Sequence, residues 1–256
     1  MAKTFCIANQ KGGVGKTTTA VNLAAGLVAQ KQRVLLIDLD PQGNATMGSG
    51  VDKANLENSV YQVLIGMATA AQTVLYAPTA GYSVMPANRD LAGAEVELVD
   101  LENREMRLKL ALAEIEDEFD FILIDCPPAL SLLTLNGLCA ADGVVVPMQC
   151  EYFALEGLSD LVNTIKQVHA NLNPNLKIIG LLRVMFDARV TLQQQVSEQL
   201  MTHFGNKVFK TIIPRNVRLA EAPSFGLPGV IFDKSARGAQ AYIEFGGEMV
   251  ERIKTM

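Results

Sequence analysis

The chain alternates between short, continuous apolar runs and longer segments in which apolar residues recur at helical spacing. Runs that are apolar at every position are typical of strands buried on both faces, as in parallel sheets covered by helices. Five such runs occur, at 4–9, 33–40, 119–128, 143–149 and 176–186. The pattern predicts a parallel sheet whose successive strands are joined by helices.

Helices are predicted between these runs and after the last of them, because the segments there show helical periodicity. They cover 16–30, 91–117, 155–170, 192–204 and 240–254. Residues 52–83 are less regular and predict a short helix followed by a hairpin at the edge of the sheet. No linker rich in Pro, Gly or Ser divides the chain. We therefore predict one domain over residues 1–256, of the α/β class, with a doubly wound, mostly parallel sheet flanked by helices.

The overall composition adds only a few limits. The 256 residues are 49% hydrophobic and carry a net charge of −5, which is compatible with a large core. Apolar runs are too short to span a membrane, and the first residues lack the layout of a signal peptide, so a cytoplasmic protein is expected. Four cysteines without paired spacing predict buried, reduced thiols. They are Cys6, Cys126, Cys139 and Cys150.

Charge is distributed unevenly along the chain. Residues 177–218 hold seven Lys or Arg and two Asp or Glu, whereas residues 95–120 hold ten acidic and three basic residues. Both segments can be read as ordinary solvated surfaces. Alternatively, the first segment is a basic patch that binds a polyanion.

Residues 9–18, NQKGGVGKTT, lie between the first predicted strand and the first predicted helix. Their glycines allow backbone N–H groups to converge on phosphate oxygens, and the N-terminus of the following helix adds positive potential. Lys16 is placed to reach the β- and γ-phosphates of a nucleotide, and the Thr17 hydroxyl to bind Mg²⁺. The predicted nucleotide-binding residues of this loop are Lys11, Gly12, Gly13, Val14, Gly15, Lys16, Thr17 and Thr18.

The loop departs from the common pattern G-x-x-x-x-G-K-[ST] in two ways. Gln10 stands where that pattern has its first glycine, and Lys11 adds a second lysine at the entrance of the loop. Since Lys16 already serves the phosphates of its own subunit, Lys11 is either a solvated surface lysine or a residue that reaches a nucleotide held by a second subunit. The loop alone does not decide between these readings.

Polar side chains follow the predicted strands at their carboxyl ends, where ligands bind in sheets of this kind. Asp125 is predicted to hold Mg²⁺, with a strand-end cap as the alternative. Alternation along a strand would put Asp38 and Asp40 on one face. One of these two is expected to support the metal and the other to position the attacking water. Residues 149–151, QCE, end another strand at the same edge.

Five motifs together resemble the ParA/Soj branch of the deviant Walker A ATPases. In chain order they are KGGVGKTT, LLIDLDPQGNAT, FILIDCPP, VVPMQCEYFALEGL and IPRNVRLAEAPSFG. The resemblance begins at the first predicted strand and covers nearly the whole chain. It implies a P-loop NTPase fold and slow, Mg²⁺-dependent hydrolysis of ATP to ADP and phosphate.

The resemblance also implies roles for individual residues of the nucleotide site. In an ATP-bound sandwich dimer, Lys11 would reach the partner's nucleotide and Gly12 would lie at the dimer contact. Asp40 matches an acid needed for hydrolysis. Pro214 and Asn216 match positions near the adenine, and both belong to the IPRNVR motif.

The partners follow from the same resemblance. Arg189 and Arg218 match arginines that bind double-stranded DNA without sequence preference. The homodimer would form in the ATP state, bind the nucleoid, and release it when a ParB-like protein stimulates hydrolysis. The expected function is an ATP-timed switch in the segregation of chromosomes or plasmids, without a membrane partner.

Two alternatives share the phosphate loop. A membrane ATPase of the MinD kind would need a basic amphipathic C-terminal segment. Residues 240–256 instead carry three glutamates, and their apolar residues at helical spacing are expected to pack on the core. A family member that positions another cargo, such as a chemosensory array or a carboxysome, is not separated from the first reading by sequence.

Overall fold

The sheet that the sequence predicts is present in the computed structural model, which describes residues 1–254. Within these residues its strand order is β3-β4-β2-β5-β1-β6-β7-β8. The strands are β1 (Lys3–Ile7), β2 (Val34–Asp38), β3 (Leu75–Ala77), β4 (Tyr82–Met85), β5 (Phe121–Asp125), β6 (Gly143–Met148), β7 (Lys177–Phe186) and β8 (Val208–Pro214). Among the strands of residues 1–254, only β3 and β4 pair antiparallel. The predicted mostly parallel sheet is therefore confirmed.

Helices pack on both faces of this sheet, as predicted for a doubly wound fold. They are α1 (Lys16–Ala29), α2 (Asn44–Gly48), α3 (Val60–Ile65), α4 (Ala70–Thr73), α5 (Leu91–Glu97), α6 (Arg107–Leu112), α7 (Leu132–Ala140), α8 (Ala154–Asn171), α9 (Thr191–Phe204), α10 (Val217–Glu221), α11 (Gly229–Phe232) and α12 (Arg237–Lys254). Four of the five predicted helices are confirmed with small shifts of their ends, as α1, α8, α9 and α12.

The remaining predictions of local structure were less accurate. A single helix over 91–117 was wrong, because the chain leaves the helical conformation between α5 and α6, where Asn103 has φ 52°. The edge hairpin predicted within 52–83 is confirmed as β3 and β4, preceded by two short helices. Neither α7 nor β8 was predicted. The apolar residues of β8 are interrupted by Lys210 and Thr211, which hides its strand character.

Buried side chains form one apolar layer on each face of the sheet. Along β1, Cys6 belongs to the layer that includes α7 and α8, whereas Phe5 and Ile7 belong to the layer that includes α1 and α12. The predicted buried, unpaired cysteines are confirmed. Burial raises the pKa of the Cys150 thiol to about 11, so this thiol is not a reactive nucleophile near neutral pH.

The C-terminal helix α12 packs against α1 through a close contact between glycines. A Cβ added to Gly246 would lie 2.7 Å from the backbone of Gly26. The Thr19 hydroxyl and the Tyr242 hydroxyl are 2.9 Å apart and join the same two helices. The prediction that the C-terminal segment packs on the core is thus confirmed up to residue 254, and its last two residues lie outside the described residues. Within 1–254, no helix is long and apolar enough to cross a membrane.

A bulge in β8 is held from both sides. The guanidinium of Arg183, in the middle of β7, donates to the carbonyl oxygens of Phe209 and Lys210 over 2.9 and 3.3 Å. The carboxylate of Glu248, on α12, accepts from the backbone N–H groups of Lys210 and Thr211 over 2.8 and 2.9 Å. Arg183 is buried. It therefore belongs to the interior and not to the basic surface predicted for residues 177–218.

Candidate functional site

The loop between β1 and α1 lies at the carboxyl edge of the sheet. Gly13 and Gly15 have φ of 71° and 77°, in the left-handed region that favours glycine. Among the described residues, no side chain caps the N-terminus of α1, which begins at Lys16. The first N–H groups of the helix thus remain available to an anion. Phosphate oxygens are the ligands that such a loop fits best.

Lys16 brings a buried positive charge to this loop. Its Nζ donates to the carbonyl oxygen of Lys11 over 3.1 Å, and the side chain is buried. Burial lowers the pKa of Lys16, whereas the charges of Asp125 and Asp40 oppose this shift. The ammonium group is therefore held among acids of the same edge, where it would stabilise further negative charge.

Lys11 lies at the exposed entrance of the loop. Its Nζ is 2.6 Å from Oε2 of Glu151. Gln149, which follows β6 as Glu151 does, donates from Nε2 to the carbonyl oxygen of Gly13 over 3.2 Å. The sequence placed residues 149–151 at this edge but gave no signal for these contacts, because Lys11 and Glu151 are 140 positions apart.

Asp125 and Asp38 lie side by side at the ends of paired strands β5 and β2. Both are buried. Within the described residues, neither carboxylate oxygen of Asp125 has a hydrogen-bond partner. Burial first, and then the charge of Asp38, raise the pKa of Asp125, and the Thr17 hydroxyl and Lys16 act in the opposite direction. A buried carboxylate whose oxygens lack hydrogen-bond partners is suited to bind a cation that lies on the side of the loop.

Asp38 and Asp40 differ in burial and in hydrogen bonding, whereas the sequence predicts that they share one face of a strand. Asp38 accepts hydrogen bonds from the backbone N–H and the hydroxyl of Thr46, both over 2.8 Å, and from the N–H of Asp40 over 3.1 Å. Burial raises the pKa of Asp38 to about 6. Because β2 ends at Asp38, strand alternation does not extend to Asp40. Asp40 is partly exposed and accepts from the N–H of Gln42 over 2.9 Å.

Replacing Asp125 by asparagine is expected to stabilise the nucleotide-free protein. The substitution keeps the shape and removes a carboxylate whose charged form is disfavoured by burial and by the neighbouring Asp38, more than the Thr17 hydroxyl and Lys16 favour it. The melting temperature of the variant at pH 7.5 should therefore rise by roughly 2–8 °C. Since the folded-state pKa of Asp125 and Asp38 is raised, the folded protein binds more protons than the unfolded chain. Its stability should fall as pH rises from about 4 through these raised values, and less steeply in the variant. Calorimetry from pH 5 to 7.5 measures both effects; a lower melting temperature for the variant would contradict this account.

A cavity of about 150 Å³ lies next to the phosphate loop. Pro214 and Asn216 line it together with Gly15, Thr18 and Met185. Met185 has φ 51°, and its Sδ is 2.8 Å from Nε2 of Gln149. The structure thus brings the two residues of the IPRNVR motif to the loop. Sequence reasoning missed Met185, which has only its position at a strand end to suggest a role.

Both arginines predicted to bind DNA are on the surface at the carboxyl edge. The Arg189 side chain is 89% exposed and pairs with Asp187 over 2.7 Å, and the Arg189 hydrogen bond lowers the pKa of Asp187 to about 2. Arg218 is 55% exposed and pairs with Glu221 over 2.9 Å. Lys177, by contrast, begins β7 at the opposite edge. The basic segment is therefore not one continuous patch.

Comparisons with known proteins show which proteins the whole chain resembles. A family model described as an AAA domain matches residues 2–178. The chain is 51% identical to the sporulation initiation inhibitor protein Soj of Bacillus subtilis, over 97% of this chain and 98% of that protein. It is 50% identical to the chromosome partitioning protein ParA of Myxococcus xanthus, over 98% and 89% of the two chains. A crystal structure described as cobyrinic acid a,c-diamide synthase from Mycobacterium smegmatis, with an ATP analogue and magnesium bound, has a TM-score of 0.87, 40% identity, and coverage of 99% of this chain and 96% of that one.

Proposed function

The chain belongs to the ParA/Soj family of chromosome-partitioning proteins, and from this premise we propose that it is an ATPase that dimerises with ATP, binds DNA without sequence preference and drives DNA segregation. The observation that carries the proposal is the group formed by Lys16, Thr17 and the buried, unpartnered carboxylate of Asp125 beside the phosphate loop. A relative of known structure binds an ATP analogue and magnesium.

Mg²⁺ would be held by the Thr17 hydroxyl and by Asp125, with Asp38 behind them, and supplies charge neutralisation at the phosphate oxygens. No group of three or more His, Cys, Asp or Glu side chains within residues 1–254 is arranged to hold a metal alone. This favours a cation that is shared with a bound nucleotide, because its phosphates provide the remaining oxygen ligands.

Each remaining group of the site has a distinct task in this proposal. The loop N–H groups and Lys16 bind the phosphates and stabilise the charge that develops on them. Asp40, partly exposed at the turn after β2, orients the attacking water. Pro214 and Asn216 hold the base in the adjacent cavity. Lys11 serves the nucleotide of a second copy, which requires that its ion pair with Glu151 opens.

DNA binding would depend on dimerisation. Arg189 and Arg218 each pair with an acid of their own chain, so phosphate contacts must replace these pairs and a single copy binds weakly. Two copies in one rigid dimer bind far more tightly, and hydrolysis would release both. A ParB-like protein would stimulate that step on the nucleoid. The second candidate function is that of an ATPase that positions a cargo other than DNA, and the same nucleotide site supports it.

Binding to nonspecific duplex DNA tests the proposal directly. The measurement compares a non-hydrolysable ATP analogue with ADP across a salt series. Tight binding only with the analogue, falling steeply with salt, is the expected result. If the protein binds DNA in neither state, the proposed DNA binding is wrong and the proposed ATPase activity is unaffected.

Exchanging Arg218 for glutamate is expected to weaken DNA binding at least about tenfold, because each dimer loses two phosphate contacts and gains two negative charges. Dimerisation with the ATP analogue should persist, as measured by analytical ultracentrifugation. Lys177→Glu is the matched control, since it changes the same charge at the opposite edge of the sheet and should leave DNA binding within about threefold. Loss of dimerisation in Arg218→Glu would instead assign the arginine a structural role.

A further inference from the structure

A cavity of about 520 Å³ lies at the amino edge of the sheet, opposite the phosphate loop. It forms where the first residues of β7 and β8 meet the last turns of α12. Three lysines from three different elements line it: Lys177 at the start of β7, Lys207 at the end of a 3₁₀ turn, and Lys210 within β8. Small-molecule sites commonly have volumes of about 300–1,000 Å³, so the cavity can hold a ligand of nucleotide size.

The ammonium groups of these three lysines are not neutralised by the protein. All three residues are exposed, and in the part of the chain that the structure describes none of their ammonium groups forms an ion pair or a hydrogen bond. Single exposed lysines are ordinary on protein surfaces. Like charges gathered around one cavity repel each other, however, and a bound anion relieves this repulsion.

The two acids of the cavity are already engaged with other groups. The carboxylate of Glu248 accepts from the N–H and the hydroxyl of Thr211 over 2.9 and 2.7 Å, and it lies 3.6 Å from the guanidinium of Arg252. Glu251 pairs with Lys254 over 2.7 Å. Arg252 and Lys254 also offset the negative potential at the C-terminal end of α12. The positive charge of the lysines therefore remains available to a ligand.

The lining favours a compact ligand with several negative charges. Lysine ammonium groups bind phosphate oxygens as point charges, and three of them suit a ligand that carries more than one phosphate. Asn206 adds an amide, and Ile178 and Ile179 add an apolar wall. A few polar groups on an apolar surface are typical of small-molecule sites. Duplex DNA is less suited, because the Glu251 side chain is 72% exposed on the wall formed by α12.

We propose that this cavity is an anion site separate from the phosphate loop, and that it binds a polyphosphate ligand, either inorganic or attached to a nucleoside. Its lining residues all lie outside the loop, which is at the other edge of the sheet. Because β8 and α12 both line the cavity, a bound ligand would join them in addition to the hydrogen bonds that Glu248 makes with β8. Binding should therefore stabilise the folded protein.

Calorimetric titration of the full chain with inorganic tripolyphosphate, in excess ADP so that the phosphate loop is occupied, tests the proposal. We expect one site per chain with a Kd below about 100 µM at about 0.15 M salt. Lys207→Gln/Lys210→Gln should weaken this binding at least about tenfold, because two charge-assisted contacts are lost, and should leave ADP binding unchanged. Lys109→Gln/Lys166→Gln is the matched control, since it removes two exposed lysines from α6 and α8 on the other face of the sheet. It should bind tripolyphosphate like the wild type.

A second titration, with a non-hydrolysable ATP analogue, separates the two sources of the phosphates. A nucleoside ligand predicts two analogue sites per chain, of which Lys16→Ala loses one and the double glutamine variant loses the other. An inorganic ligand predicts that only tripolyphosphate binds at the cavity. In either case Lys16→Ala should keep the cavity site, so this result does not depend on the function proposed for the phosphate loop.

The proposal is wrong if neither ligand binds outside the phosphate loop, or if the double glutamine variant binds them as tightly as the wild type. If that variant instead loses affinity for duplex DNA while tripolyphosphate fails to bind the wild type, the lysines belong to a DNA contact and the proposal is again wrong. Should the double variant misfold, Lys207→Gln alone is measured. Lys207→Arg, which keeps the charge, should then retain tripolyphosphate binding.

Discussion

Replacing Lys16 by alanine is expected to lower ATP hydrolysis at least about 100-fold, the usual cost of losing a group that stabilises transition-state charge. Lys16 is the buried cation of the loop, and its Nζ is held in place by the carbonyl oxygen of Lys11. The nucleotide-free variant should melt at the wild-type temperature or above it, because burial lowers the pKa of Lys16 and thus opposes its charged form. The rise in melting temperature on adding ATP should disappear.

Phosphate release and thermal shift measure these effects. Lys109→Ala, which removes an exposed lysine from α6, is the control and should change neither. A Lys16→Ala variant with normal turnover would refute the assignment of the phosphate loop. A variant that is unfolded without nucleotide would show that the lysine stabilises the fold instead.

Replacing Asp40 by alanine is expected to separate binding from hydrolysis. Removal of a group that positions or activates the attacking water lowers hydrolysis at least about 100-fold. ATP binding should persist, since Asp40 is partly exposed and the buried acids Asp38 and Asp125 remain. The ATP-bound dimer should then stay on DNA after wild-type protein has dissociated. Phosphate release and the lifetime of the DNA complex measure the two halves of this prediction.

Asp40→Asn distinguishes charge from local structure in this result. The asparagine side-chain oxygen can still accept the hydrogen bond that Gln42 now donates over 2.9 Å, so the turn after β2 should be kept while the charge is lost. We expect both variants to be equally inactive. Wild-type hydrolysis in Asp40→Asn would show that the carboxylate is not needed, and a monomeric Asp40→Ala protein in ATP would contradict its role in turnover alone.

Sequence reasoning succeeded where one short segment determines its own conformation. The glycines of the loop adopt the left-handed backbone that only glycine accepts easily, as with Gly13 and Gly15. Asp38 and Asp125 end up as neighbours because each ends a buried strand, and parallel strands end at a common edge. These features needed no knowledge of distant contacts.

Predictions from the sequence failed where a contact joins two segments that are far apart along the chain. Arg183 counts as a surface charge in the sequence, but its position in the middle of β7 turns it toward the bulge of β8. The pairing of Glu151 with Lys11 depends on β6 lying next to β1 in the sheet. Charge counting and periodicity contain no information on strand order, so neither contact could be derived from them.

The bulge of β8 also bears on how the protein stays dispersed when many copies crowd together. Open edges of a sheet can recruit strands from other molecules and thus start aggregation. Here one outermost strand, β3, is only three residues long. On the other, β8, the carboxylate of Glu248 occupies two consecutive backbone N–H groups. The sheet therefore carries a short edge at one end and a partly blocked edge at the other, which disfavours edge-to-edge association between copies of the chain.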